Sequence, residues 1–152
     1  MIAPAAWVGI TAEAHPAADV WMLIGAIVWL LGIVLEIVAD AQKNAFRRDP
    51  AQKGRFIQSG VWAWSRHPNY FGEILVCIGV AFVALPAATG WQWVTLLSPI
   101  FVILLLTRVS GIPLLEKRAD ARWGEDPDYQ AYKARTPVLV PSVRTSKLAS
   151  AR

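Results

Sequence analysis

Three long apolar stretches set the pattern of the chain. The first, residues 20–39, is interrupted only by Glu36. About 20 residues at ~1.5 Å each match a hydrocarbon core of ~30 Å. The second runs over residues 70–86 with Glu73 in its first turn, and the third over residues 93–109 with Pro99 and Arg108 inside it. The last two are short for a span, so they predict helices that tilt little or borrow flanking residues. Pro99 removes a backbone donor and predicts a kink in the third helix. Ser98 beside it can satisfy the groups so freed. Residues 85–91, small and carrying Pro86 and Gly90, predict a tight turn between antiparallel helices. The expected fold is an all-α, polytopic membrane protein with about three transmembrane helices and an interfacial C-terminal segment. Residues 1–19 are expected outside the membrane, or as a helix remnant. Residues 20–141 form the embedded domain, and 142–152 a flexible tail.

Composition and charge sharpen this picture. Hydrophobic residues make up 55% of the 152 and charged residues 17%, too apolar for an ordinary soluble domain. Several of the eight Trp sit where apolar runs meet polar ones, as interfacial Trp does. All fifteen Lys and Arg follow the first apolar run: six between Lys43 and Arg66, eight from Lys117 to the end, and Arg108 between. The positive-inside rule then places the N-terminus outside, loop 40–69 in the cytoplasm, turn 86–92 outside and the tail in the cytoplasm. Residues 1–19 have no basic region and do not read as a secretory signal. The net charge of +4 is accounted for by this topology and calls for no nucleic acid. Cys77, the single cysteine, lies in an apolar run and reads as a small apolar residue.

Ionisable residues near the membrane carry the chemistry. Glu36, Asp40, Lys43 and Arg47 are spaced four, three and four apart, which aligns them on one stripe of a helix that runs on to Pro50. They read either as an interfacial ladder of ion pairs or as one wall of a polar pocket. A carboxylate as deep as Glu36 favours the pocket, because it must be paired or wet. The densest stretch is residues 60–73, GVWAWSRHPNYFGE. Pro68 suits the first position of a helix. That helix would open beside Lys43, Arg47, Arg55 and Arg66, with Asn69, Tyr70 and Glu73 in its first turns. Such a mouth is a natural anion site. Residue by residue, capping by Asn69 and interfacial anchoring by Tyr70 and Arg66 explain the same positions.

The segment SRHPNYFGE (65–73) resembles the signature of the steroid 5α-reductase C-terminal family and its bacterial DUF1295-type branch. EIVADAQKNAFRRDP (36–50), RVSGIPLLEKR (108–118) and DYQAYKARTPVLVP (128–141) are similar as well. The resemblance implies a reductase-like membrane domain, in the inner membrane of a bacterium, with NADPH as cofactor. Such enzymes reduce a carbon–carbon double bond conjugated to a ketone in a steroid or other lipid, as a 3-oxo-5α-steroid 4-dehydrogenase does. Carried over by position, the cofactor contacts it implies are Asp40, Arg47, Arg55, Arg66, His67, Asn69, Tyr70, Glu73, Arg108 and Glu116. Relatives draw the acid that polarises the substrate ketone from helices preceding this stretch. Here only residues 1–19 come first, so the catalytic residue is unassigned. A truncated chain, a subunit completed by a partner, and a reduced family member all fit. Gly25 and Gly32, seven apart on one face of the first helix, would admit a partner helix.

Two other functions remain open. A membrane methyltransferase of the isoprenylcysteine or phospholipid type, using S-adenosylmethionine, shares the RHP turn and the tail. The NYFGE continuation, and a single Glu116 followed by Lys117, point to the reductase. A non-catalytic membrane subunit is the third reading. Metal-ligand spacing and Gly-rich phosphate loops are absent from the sequence. Tyr129 and Tyr132, with Trp123, are expected to return along the lipid headgroups as an amphipathic segment. The partners expected are membrane lipids, a hydrophobic small-molecule substrate and partner helices or a second subunit.

Overall fold

The computed structural model describes residues 20–88 and 90–142, so residues 1–19 and the tail from 143 onward lie outside the described residues. Among the described residues the fold is helical, with no strand. Helix α1 is Val20–Arg48, α2 is Pro68–Ala84, α3 is Leu97–Leu104, α4 is Ile112–Trp123 and α5 is Pro127–Arg135. Short 3-10 turns occupy Pro50–Gln52, Gly60–Ala63, Leu85–Ala87 and Gly90–Leu96, and a π turn occupies Leu105–Val109.

The 29 residues of α1 contain no proline, and Arg47 and Arg48 in the last turn complement the helix dipole. The helix stops where the sequence predicts. Asp49 precedes proline, is held extended at ψ 115°, and its Oδ1 accepts the Ala51 N–H at 2.9 Å. At ~1.5 Å per residue, α1 is ~44 Å long, more than a hydrocarbon core of ~30 Å needs. Its last turns, from Asp40 on, can therefore project beyond the core.

Helices α1 and α2 lie antiparallel in direct backbone contact. A Cβ on Gly25 would meet the Gly79 carbonyl oxygen at 2.7 Å, and one on Gly32 would meet that of Gly72 at 2.7 Å. The close approach expected of Gly25 and Gly32 is thus made by α2, which brings two glycines of its own. Only Gly25, Gly32 and Ala39 of α1 are buried. Leu23, Leu30, Leu31 and Ile37 remain more than half exposed. Small residues inside and large apolar residues outside is the packing of helices solvated by hydrocarbon.

Among the described residues, two helical stretches are long and apolar enough to cross a membrane, Val20–Arg48 and Leu97–Trp123. The 17 residues of α2 fall short of that length at ~26 Å. The third apolar run also departs from expectation. It is 3-10 up to Leu96, α-helical from Leu97 and π from Leu105. Pro99 stands in the first turn of α3, where a missing N–H costs no helical bond, so it does not interrupt the helix. The irregularity lies farther along, where Ser110 N donates to Leu105 O at 3.0 Å and the Thr107 hydroxyl to Ile103 O at 2.6 Å.

Residues 49–67, α4, α5 and the segment to Ser142 form a polar lobe against the end of α1. Its interior is aromatic. Phe56 lies 5.3 Å from Tyr129, 5.5 Å from Tyr132 and 6.0 Å from Trp123, ring to ring. Tyr129 and Tyr132 are buried, at 3% and 4% exposure. They face inward rather than lying along a headgroup layer, because each hydroxyl finds an internal partner: Asp120 at 3.2 Å and the Trp62 carbonyl at 2.8 Å. Asp126 caps α5 by accepting the Asp128 N–H at 2.9 Å, with Pro127 in its first turn.

Candidate functional site

The site forms where the polar lobe meets the start of α2. Residues 60–67 are drawn onto α1 by two bonds. Val61 N donates to the Gln42 side-chain oxygen at 3.0 Å, and the Trp62 indole to Ala39 O at 3.0 Å. Lys43 sits over the Trp62 ring at 4.9 Å, a cation–π contact that holds a cation beside the turn. Gly60 takes φ +62° there, a conformation suited to glycine.

Helix α2 then opens with His67 as N-cap and Pro68 as its first residue, as the sequence predicts. The His67 side chain caps nothing. Its Nε2 lies 2.7 Å from Glu116 Oε1, and Arg66 Nη1 pairs with the other oxygen of the same carboxylate. The His67 ring also stacks on Tyr70, with centroids 5.9 Å apart and 14° between planes. A single carboxylate from α4 therefore holds two consecutive residues of the RHP turn. The three side chains are largely shielded, at 11% exposure for Arg66, 8% for His67 and 19% for Glu116.

This cluster leaves unspent capacity. Arg66 Nε is buried with no hydrogen-bond partner among the described residues. Helix geometry leaves the amides of Asn69 and Tyr70 without an intrahelical acceptor. Glu36 packs against the backbone of Gly72, the residue before Glu73 on α2. Asp40 follows Glu36 by one turn of α1 and is exposed.

Of the ten residues singled out by sequence, the structure joins Arg66, His67, Tyr70 and Glu116 directly. Asn69 and Glu73 stand on the first two turns of the same helix. Asp40, Arg47, Arg55 and Arg108 are exposed and form no ion pair among the described residues. Arg108 sits on the π turn, away from the paired cluster in sequence and bonding. Sequence reasoning missed Ser65, Trp62 and Tyr132, which hold the turn in place. Ser65 precedes the RHP triplet directly, and Tyr132 lies in the resembling tail segment, but their partners are distant in sequence.

Residues 1–136 match the family described as "Protein of unknown function (DUF1295)". The chain belongs to the DUF1295 family. Among curated relatives, this DUF1295 chain is 32% identical to a Delta(14)-sterol reductase of Methylotuvimicrobium alcaliphilum, over 82% of this chain and 31% of the relative. It is 35% identical to the Delta(14)-sterol reductase LBR of Gallus gallus, over 42% of this chain and 12% of that protein. It is 32% identical to a probable O-methyltransferase of Ustilaginoidea virens, over 44% of this chain and 24% of the relative. The chain thus spans a third or less of the length of each of these relatives. No solved structure matches it.

Proposed function

We propose that this chain is a membrane reductase, or the cofactor-binding part of one, that uses NADPH to reduce a carbon–carbon double bond in a sterol or other lipid. The observation that carries this reading is the Arg66–His67–Glu116 cluster at the mouth of α2, on a polar lobe seated against an apolar helix pair. Similarity to sterol reductases supports the reaction class.

The residues present suit the cofactor. A dinucleotide with a pyrophosphate and a 2′-phosphate calls for cations and free backbone donors. Arg66 supplies a buried, unpartnered Nε, and the first amides of α2 point the same way along the helix axis. Arg47 and Arg55 are exposed cations for the phosphates. Asp40, Asn69 and Glu73 are acceptors for ribose hydroxyls and a carboxamide. His67, Tyr70, Arg108 and Glu116 complete the set, with Glu116 holding His67 and Arg66 in place. Bound, the nicotinamide supplies a hydride. The chain's own task is to orient the cofactor, exclude water and keep donor and acceptor carbons close. The second carbon of the double bond must receive a proton, and none of the ten residues is assigned that role. A ketone conjugated to the double bond, as in a 3-oxo steroid, would ease hydride addition and is the substrate class we favour.

In this reading α1, α2 and the stretch from residue 93 to 109 cross the inner membrane of a bacterium. Loop 40–69 and the tail face the cytoplasm and its nucleotide pool. After Cys77→Ala, a cysteine at Lys53 is expected to react with a membrane-impermeant thiol reagent only from the cytoplasmic side. Reaction from the outside would remove the enzyme reading.

The second reading, a methyltransferase using S-adenosylmethionine, is favoured by the O-methyltransferase relative. Purified protein in detergent is titrated with each cofactor and followed by thermal shift and nicotinamide fluorescence. A shift with NADPH alone is expected. A shift with S-adenosylmethionine alone would establish the methyltransferase, and a response to neither would leave a non-catalytic subunit.

A further inference from the structure

Ser65 is fully buried, and its hydroxyl works in both directions at once. It donates to the Leu139 carbonyl at 2.8 Å and accepts the His67 backbone N–H at 3.1 Å. One proton and two lone pairs allow both bonds together. Around it, the Arg66 N–H donates to the Pro137 carbonyl at 2.9 Å and the Ser142 N–H to the Trp64 carbonyl at 3.0 Å. Residues 137–142 therefore lie as a strap along residues 64–67, some seventy positions upstream.

The strap is not what fastens α5 to the lobe. Tyr132 donates to the Trp62 carbonyl, Arg135 reaches the Gln58 side chain at 2.6 Å, and Phe56 packs on both tyrosines. What the strap and Ser65 do hold is the backbone of Arg66 and His67. As N-cap of α2, His67 has an amide with no helical acceptor, and its ring is turned to Glu116. The Ser65 hydroxyl is the partner that amide has.

We infer that Ser65 is a positioning residue, transmitting the hold of the 137–142 strap to the His67 amide and so setting how His67 and Arg66 present their side chains. This rests on reading Arg66 and His67 as cofactor contacts. Alanine fits the space of serine but leaves a buried N–H and a buried carbonyl without their partner.

The test uses Ser65→Ala in the full chain, in detergent, with selectively labelled histidine. The chain has two histidines, so His15 serves as the reference signal for His67. The variant is expected to stay folded, to shift the His67 imidazole signals while leaving those of His15 in place, and to bind NADPH about tenfold more weakly, the scale of one buried hydrogen bond. Unmoved His67 signals would overturn the inference, as would moved signals with unchanged NADPH affinity. If the unaltered protein binds no NADPH, the cofactor reading fails by itself, and the His67 shift still decides whether Ser65 sets that residue. Should Ser65→Ala not fold, deletion of residues 137–152 removes the Leu139 carbonyl and leaves Ser65 intact. The same His67 shift is expected, and its absence overturns the inference.

Discussion

Gly32 and Gly72 face each other so closely that a methyl group on either would meet the other's carbonyl oxygen at 2.7 Å. Gly25 and Gly79 repeat the arrangement two turns away, with the Trp29 amide nitrogen 2.5 Å from a Cβ on Gly79. The obstacles are backbone atoms, which cannot rotate aside as a side chain could. Gly72→Val and Gly32→Val are therefore expected to force α1 and α2 apart, at a cost of about 1–3 kcal/mol or more. Leu30→Val, on the outward face, is the control. A melting temperature equal to the control's would show that the helices do not meet here.

Arg66 and Asn69 are expected to contribute to NADPH binding in different measure. Arg66→Ala removes a charged contact and should weaken affinity by roughly ten- to a hundredfold, whereas Asn69→Ala removes a neutral one and should weaken it by about fivefold. Fluorescence titration of the nicotinamide reads both. Unchanged affinity in the two variants would remove the site assignment.

Glu116→Gln tests the ion pair itself. It leaves the Arg66 guanidinium shielded and without its counter-charge. A fully buried pair broken on one side costs ~3–5 kcal/mol, and the 11% and 19% exposure of the two side chains reduces this to about 1–3 kcal/mol. Thermal unfolding in detergent checks it, with Glu125→Gln, on an exposed residue, as the reference.

The buried tyrosines predict a dependence on alkaline pH. Burial, then the nearby charges of Asp120 and Glu116, push the Tyr129 phenol up to about 12. Burial raises Tyr132 as well. Unfolded phenols ionise near ~10, so above that pH the unfolded state releases protons that the folded state retains. Stability is expected to be level below about pH 10 and to fall between about 10 and 12, by up to ~1.4 kcal/mol per unit for each tyrosine. Tyr129→Phe should make that fall shallower in denaturant unfolding measured from pH 8 to 12.

Tyr132→Phe separates packing from hydrogen bonding in the lobe. The ring stays against Phe56, and only the bond to the Trp62 carbonyl is lost. A loss of about 1–2 kcal/mol is expected near neutral pH. A variant as stable as the parent would mean that the Trp62 carbonyl finds another donor.

Local chemistry made part of this legible in sequence. Pro50 ends α1 and Pro68 starts α2 through the geometry of proline alone, and the acidic-to-basic stripe on α1 follows from helical spacing. Gly25 and Gly32 announced a close neighbour. Gly72 and Gly79 lay equally plain in the second apolar run, but only pairing across the two helices gives them meaning. Pro99 misled because its effect depends on which turn of a helix it occupies, and the onset of α3 falls inside a run that is largely apolar on both sides of it. Tyr129 and Tyr132 have the spacing of a surface segment, and their partners, Asp120 on the preceding helix and the Trp62 carbonyl 70 positions upstream, draw them in. Of the site, the RHP turn and Glu116 were visible as a resemblance. Their joint bonding, and the role of Ser65, depend on contacts between segments fifty to seventy-five residues apart.

The strap of residues 137–142 has a consequence for biosynthesis. Helices α1 and α2 can lock together while the ribosome is still working. The turn that carries Arg66 and His67 must wait, because the carbonyls that settle its backbone belong to residues translated some seventy positions later. The hold on Arg66 and His67 should thus appear late, as a separate event after the helices pair, and a chain stalled before Pro137 would carry the paired helices without it.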